Sequence, residues 1–252
     1  MLNKTPFRLL DQFEATFRKG PYKHRSPSLG NLIGRELFED LVAHEVSRLL
    51  VDRVRSRREI VTMNGEIYGR KRVRRNDSFS GRPPAGELDI RSVEGYAVSE
   101  GVIAEPHIGC EVKILAKAQQ KQIDRVVNDL RGFAVRMRSL HARCINVAIV
   151  GVNHESEYVS YEGDRQYRDR LRPNEATQTE QRVGDLQEDF DEVLILPFRA
   201  TNLTRRRGFH SPGWMSRGRG ATTARSSRGS GRCTMSASRR LADGPRSLAE
   251  FQ

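Results

Sequence analysis

The 252-residue chain has a formal net charge of +12 and is 37% hydrophobic. That composition suits a folded domain with a sizeable core and argues against an integral membrane protein, because the longest apolar run, about Ile145 to Val152, falls far short of a bilayer span. The opening MLNKTPFRLLDQFE lacks the long apolar stretch and small-residue cleavage site of a secretory signal. Cys110, Cys144 and Cys233 form no C-x-x-C pair, so neither a zinc pattern nor a disulfide framework is expected, and a reducing cytoplasm is the simple reading. The charge is unevenly placed. Residues 202–252 hold eleven Arg and two acids, a net of +9, which leaves only +3 for the other 201 residues. Basicity alone therefore says little about what the folded part binds.

In chain order, residues 1–29 read as an extension with a short helix around Pro6 to Arg18. The polar stretch GPYKHRSPS follows, and Ser26, Ser28 and Gly30 suit a helix entry. From about Leu32 to Arg55, Ile33, Leu37, Leu41, Val42, Val46, Leu49 and Leu50 recur at three- and four-residue spacing. This predicts one long amphipathic helix with an Arg-rich end. Residues Glu59 to Gly69 read as a strand pair turning at Asn64-Gly65, since both central positions of a two-residue hairpin need positive φ. A basic run, Arg70, Lys71, Arg72, Arg74 and Arg75, and a loop through Pro83 and Pro84 come next.

Strands are expected at about Glu87 to Val93 and His107 to Leu115. A helix from about Lys117 to Leu140 should bury Ile123, Val126, Val127, Leu130, Phe133, Ala134 and Met137. The unbroken apolar run Ile145 to Val152 is the best candidate for a buried central strand, and Val193 to Phe198 for another short one. The order predicts an α/β domain over residues 30–202, with a mixed central sheet flanked by helices and no internal repeat. In residues 202–252, Arg, Gly and Ser fill 26 of 51 positions. Apolar periodicity vanishes there, so residues 203–252 are expected to be a disordered tail. The tail reads either as a nucleic-acid-binding arm or, the preferred reading, as out-of-frame translation, which resequencing the locus decides.

The chemistry concentrates in residues 86–113. On a strand over 87–91, Leu88 and Ile90 point one way and Glu87, Asp89 and Arg91 the other. In HIGCEVKI, Ile108, Cys110, Val112 and Ile114 share an apolar face, while Glu111, Lys113 and Gly109 share the opposite one. If these two strands are neighbours, Asp89, Glu111 and Lys113 converge. Two carboxylates suit Mg²⁺, with Mn²⁺ as an alternative. The metal lowers the pKa of a bound water, and the lysine assists that water or the developing charge. With 19 Glu and 7 Lys in the chain, about half an E-x-K triplet is expected by chance, so the triplet is informative only through its context. That context is an apolar strand, a carboxylate on a preceding strand, and a helix and buried strand directly after.

These residues resemble the PD-(D/E)XK, or restriction-endonuclease-like, superfamily. GELDI resembles its first acidic motif and CEVKI its second. The upstream GRELFEDLVAHEVSRLL is similar to the first helix of the Mrr- and RecB-like branches, where a glutamate in an F-E-x-L-V setting joins the site. The resemblance spans about residues 30 to 152. It departs from the family in having Glu87 in place of a literal Pro-Asp pair, and in lacking a Q-x-x-x-Y motif after Lys113. It implies Asp89 and Glu111 as metal ligands, Lys113 as the catalytic lysine, Glu39 as a further catalytic carboxylate, and DNA as substrate, with RNA also open.

Several residues carry two readings. Glu39 is either a site residue or a helix-edge ion pair. Glu45, placed by helical spacing among Leu41, Val42 and Leu49, needs a partner or a polar site. Lys117, Lys121 and Arg125 form a row fit to track phosphates or simply a solvated helix face. Arg70, Lys71 and Arg72 read as a phosphate-clamping loop or a solvated one. His107 and His154 have no metal-spaced partner and read as structural. The function expected is Mg²⁺-dependent phosphodiester hydrolysis, with a non-catalytic binding or assembly module of the same fold as the alternative. The sequence leaves a homodimer open and gives no sign of a membrane partner.

Overall fold

A computed structural model describes residues 6–18, 22, 27–63, 67–68, 78–86, 89–162 and 165–202. In chain order these form α1 (Arg8–Arg18), α2 (Pro27–Ala43), α3 (Arg48–Arg55), β1 (Ile60–Thr62), β2 (Ser78–Arg82), β3 (Glu105–Leu115), α4 (Gln119–Leu140), β4 (Ile145–Asn153), β5 (Glu157–Glu162), β6 (Arg165–Arg170), α5 (Glu175–Gly184) and β7 (Glu192–Phe198). The tail 203–252, the Asn64-Gly65 turn and the basic run 70–72 lie outside the described residues. Among the described residues, no helix is long and apolar enough to cross a membrane.

The apolar spacing of residues 32–55 is real, but the chain divides it between two helices. After α2, Glu45 takes a left-handed conformation, φ 49°. The N–H of Glu45 bonds the carbonyl of Val42, and that of Val46 bonds the carbonyl of Leu41, the pattern that closes a helix at a left-handed residue. Val46 packs into the same core as Leu41. Ser47 then caps α3, its side chain accepting from the Leu50 N–H. The single long helix expected from sequence is thus two helices. Periodicity cannot register a left-handed residue when a glutamate, rather than a glycine, occupies it.

Five strands form a mixed sheet in the order β1-β2-β3-β4-β7. β1, β2 and β3 run antiparallel, and β3, β4 and β7 run parallel. Crossovers through α4, and through β5, β6 and α5, supply the chain length that parallel pairing requires. β4 lies between two parallel neighbours and is buried from Asn146 to its end, as its unbroken apolar run predicts.

Two strand expectations need correction. β1 pairs with β2, and Ile67 bridges Ile103. Residues 89–93 are not a strand; only Arg91 makes an isolated bridge, to Glu100. The strand beside β3 is β2, whose sequence SFSGR holds one large apolar residue and so gives almost no alternation to read.

The sheet separates two cores. On one face Leu9, Phe13 and Phe17 of α1 and Ile33, Leu37 and Leu41 of α2 pack with Ile108, Cys110, Val147, Ile149, Leu196 and Phe198. On the other, Ile123, Val126, Leu130, Phe133 and Met137 of α4 pack with Ala148, Val150, Val152 and Val193, closed by Val183 and Phe190. The seven residues expected on the buried face of α4 are all buried. Asn202 fastens the end of the domain to its beginning. Its side-chain oxygen accepts from the Tyr22 N–H at 3.0 Å, and its amide donates to the carbonyls of Tyr22 (3.1 Å) and Val159 (2.8 Å).

Candidate functional site

β3 presents its residues alternately to the two cores. A Cβ on Gly109 would lie 3.0 Å from Met137 Sδ and Phe133 Cζ, so the odd-numbered positions face α4. Glu111 and Lys113 follow on that face, as the alternation of HIGCEVKI predicts. Their neighbours across the ladder are Ala148 and Val150 of β4. On the other side β2 pairs only as far as Cys110.

The Glu111 side chain is 7% exposed and that of Lys113 is 26% exposed, and the two form an ion pair. The pair engages one carboxylate oxygen of Glu111. The other, Oε2, is buried and has no hydrogen-bond partner. Charged acceptors are rarely left so, because an unmet buried acceptor keeps its full desolvation cost.

Asp89 does not join them. It is exposed and lies in irregular chain beside Gly101, whose Cβ would come within 3.3 Å of the Asp89 carbonyl. Successive pairings run from Arg91 to Glu100, Val61, Ser80 and Ile108. That is four strand spacings, on the order of 19 Å across the sheet from β3.

Glu39 faces the opposite layer. Its carboxylate accepts from the N–H groups of Ala97 (2.8 Å) and Val98 (2.9 Å), with Arg8 Nη1 at 4.0 Å. Glu36 accepts from Arg8 Nε and Tyr96 Oη, both at 2.9 Å, and Asp40 accepts from the N–H groups of Arg8 (2.8 Å) and Leu9 (2.9 Å). Burial pushes the Asp40 carboxyl above its ordinary value, and the backbone N–H groups of Leu9 and Arg8 partly oppose this. These three buried carboxylates of α2 fasten α1 and the 95–98 loop. Glu45, by contrast, is exposed.

The remaining basic candidates divide. Lys121 is exposed on the first turn of α4. Lys117 lines a cavity of about 280 Å³, together with Ala118, Tyr158, Ser160, Tyr167 and Asp169. The two short strands of mixed polarity over residues 157–170 hide this cavity from sequence reasoning. The signal was there in EYVSYE, where Tyr158 and Ser160 are both buried. Tyr158 Oη accepts from the Ala118 N–H (3.1 Å) and donates to Asp169 Oδ2 (3.3 Å). Its pKa is raised, chiefly by burial, so it remains a donor. His107 and His154, expected to be structural, each pair with a carboxylate, Glu59 at 2.8 Å and Glu180 at 2.7 Å.

Compared with protein-family models, curated proteins and solved structures, the chain matches none. The fold and site therefore define it as a mixed α/β protein with a buried, half-satisfied Glu-Lys pair on an inner strand. Among the described residues, no group of three or more His, Cys, Asp or Glu side chains stands close enough to hold a metal ion. The orphan Oε2 of Glu111 fits a single oxygen ligand to a hard cation.

Proposed function

We propose that the chain is a metal-dependent nuclease of the PD-(D/E)XK, restriction-endonuclease-like type, hydrolysing phosphodiester bonds in DNA. The observation that carries the reading is the buried Glu111, ion-paired to Lys113 through one oxygen and unsatisfied at the other. An orphan carboxylate oxygen costs stability of about 1–3 kcal/mol. A hard cation would satisfy it. The mixed sheet flanked by helices supports the family reading of the fold.

Glu111 would supply one oxygen to Mg²⁺ or Mn²⁺. When bound, such an ion lowers the pKa of a coordinated water and neutralises phosphate charge. Lys113 holds Glu111 in place and has further N–H groups to direct at a water or a phosphate oxygen. Its partial exposure leaves a path to substrate. Asp89 is expected as the second acid from the GELDI motif alone, and its separation from Glu111 leaves it outside the proposed ligand set. Glu39 is a loop fastener in this reading.

The separation of Asp89 from Glu111 favours one competing reading, a non-catalytic binding or assembly module that keeps the fold. Incubating the purified chain with linear, circular and branched DNA in Mg²⁺ or Mn²⁺ separates the two. Cleavage should appear with metal and vanish in both Glu111→Ala and Lys113→Ala, with the circular dichroism spectrum unchanged. Equal cleavage by the parent and both variants would sink the assignment. Absence of calorimetric Mg²⁺ binding to the parent would favour the module.

A further inference from the structure

We propose that the cavity at the C-terminal end of β3 takes a single unpaired nucleobase of a nucleic-acid strand. The inference rests on the reading of the chain as one that acts on nucleic acid, and it adds a recognition site distinct from the Glu111–Lys113 pair.

The lining sets the ligand class. Tyr158 and Ser160 are buried, while Tyr167 is 45% exposed. Two aromatic rings thus line one cavity, one buried and one open to solvent. An exposed ring at the rim of a cavity is a platform on which a base can stack, because every base has a π-face.

The polar groups are of both signs. Asp169 brings acceptor oxygens, Lys117 an ammonium and Ser160 a hydroxyl. Asp169 already accepts from Tyr158 Oη and from the Arg170 N–H, and a carboxylate has lone pairs beyond those two bonds. A free phosphate meets repulsion from Asp169. A base edge does not, since it carries N–H donors for the carboxylate and a carbonyl or ring nitrogen for the ammonium or hydroxyl.

Size points the same way. At about 280 Å³ the cavity falls just below the usual range of about 300–1,000 Å³ for drug-sized ligands, room enough for one nucleobase. A base must leave the duplex stack to enter such a pocket, so single strands, ends and mismatches are preferred over intact duplex.

Position ties the cavity to the chain's basic residues. Lys117 lies four residues beyond Lys113, at the turn where Ala118, φ 45°, redirects the chain into α4. At about 3.3 Å per residue, on the order of 13 Å separates the two lysines along the chain. A strand whose phosphate met Lys113 would have a base of a nearby nucleotide within reach of the cavity.

The test is fluorescence titration of the full chain with a short single-stranded oligonucleotide carrying one 2-aminopurine, in EDTA. Removing metal makes the result independent of cleavage. We expect a saturable change in 2-aminopurine emission. Affinity should fall about tenfold in Tyr167→Ala and in Asp169→Asn, and remain near parent in Tyr167→Phe and Glu111→Ala. A fully abasic oligonucleotide of the same length, used as competitor, should compete about tenfold less well than the intact strand against the parent but equally well against Tyr167→Ala. Any binding by the Arg-rich tail would run through phosphates and would not discriminate the two competitors. Equal competition by abasic and intact strands, or parent-like binding by folded Tyr167→Ala and Asp169→Asn, overturns the inference. Loss of cleavage in Glu111→Ala with base binding intact separates this site from the proposed catalytic one.

Discussion

Glu111→Gln asks whether the carboxylate serves the fold or the chemistry. The variant keeps the shape and removes the charge. Removing one partner of a buried ion pair ordinarily costs about 3–5 kcal/mol, because the other charge is stranded. Lys113 is 26% exposed, so its ammonium can turn to water and that penalty does not apply. What remains is the relief of a buried charge, offset in part because the amide leaves an unsatisfied polar group where Oε2 stood, so the variant gains at most about 1–2 kcal/mol. Urea denaturation in EDTA at neutral pH should therefore show Glu111→Gln at least as stable as the parent, with an unchanged m-value. Adding Mg²⁺ should reverse the ranking, since a ligand present at 100 times its Kd stabilises the state that binds it by about 2.7 kcal/mol. The variant should gain nothing. A loss of more than about 2 kcal/mol in EDTA would show that Glu111 is a structural partner of Lys113 and refute the reasoning.

Two further outcomes follow from the structure. Glu39→Ala removes two charge-assisted bonds to the Ala97 and Val98 N–H groups and should cost about 2–4 kcal/mol. Hydrogen exchange should speed at those amides while cleavage per folded molecule is unchanged; lost cleavage at full stability would restore Glu39 to the catalytic set. Burial, reinforced by the Asp191 carboxylate, pushes the Cys144 thiol from its ordinary 9.0 up to about 12. A folded-state pKa above the unfolded value contributes stability that is complete below pH 9 and lost as pH rises through 12. Cys144→Ala should flatten the alkaline fall in stability between those values, and native Cys144 should resist iodoacetamide at pH 8; rapid alkylation of the native chain would contradict the burial.

The parts of the fold legible in the sequence are those where one element's own pattern decides the outcome. HIGCEVKI alternates, so the shared face of Glu111 and Lys113 could be read before any partner strand was known. The heavy apolar face of α4 and the unbroken run of β4 were legible for the same reason. Which strand lies beside β3 is a tertiary choice. ELDIR alternates as well as any short strand, yet β2 takes the place, with its one large apolar residue, Phe79, buried and stacked toward Phe133 at 6.2 Å. The expected place of Asp89 beside Glu111 depends on that pairing and changes with it. Glu39 looked like a helix-edge acid because its true partners are backbone N–H groups 58 and 59 residues away, which side-chain pattern cannot reveal.

The fastening of Tyr22 by Asn202 has a kinetic consequence. Its partners stand 180 residues apart, and Phe17 stacks on Phe198 at 4.4 Å across almost the same interval. Closing a loop of that length costs more entropy than any local pairing, although each doubling of length adds only about 0.6 kcal/mol. Contacts of such separation form slowly and late. During synthesis α1 and α2 emerge long before β7, so Phe13 and Phe17 must wait for the Phe198 ring that both meet. A chain stopped before residue 192 would keep Glu111 and Lys113 and still lack the strand that seals those aromatic side chains, leaving it prone to aggregate.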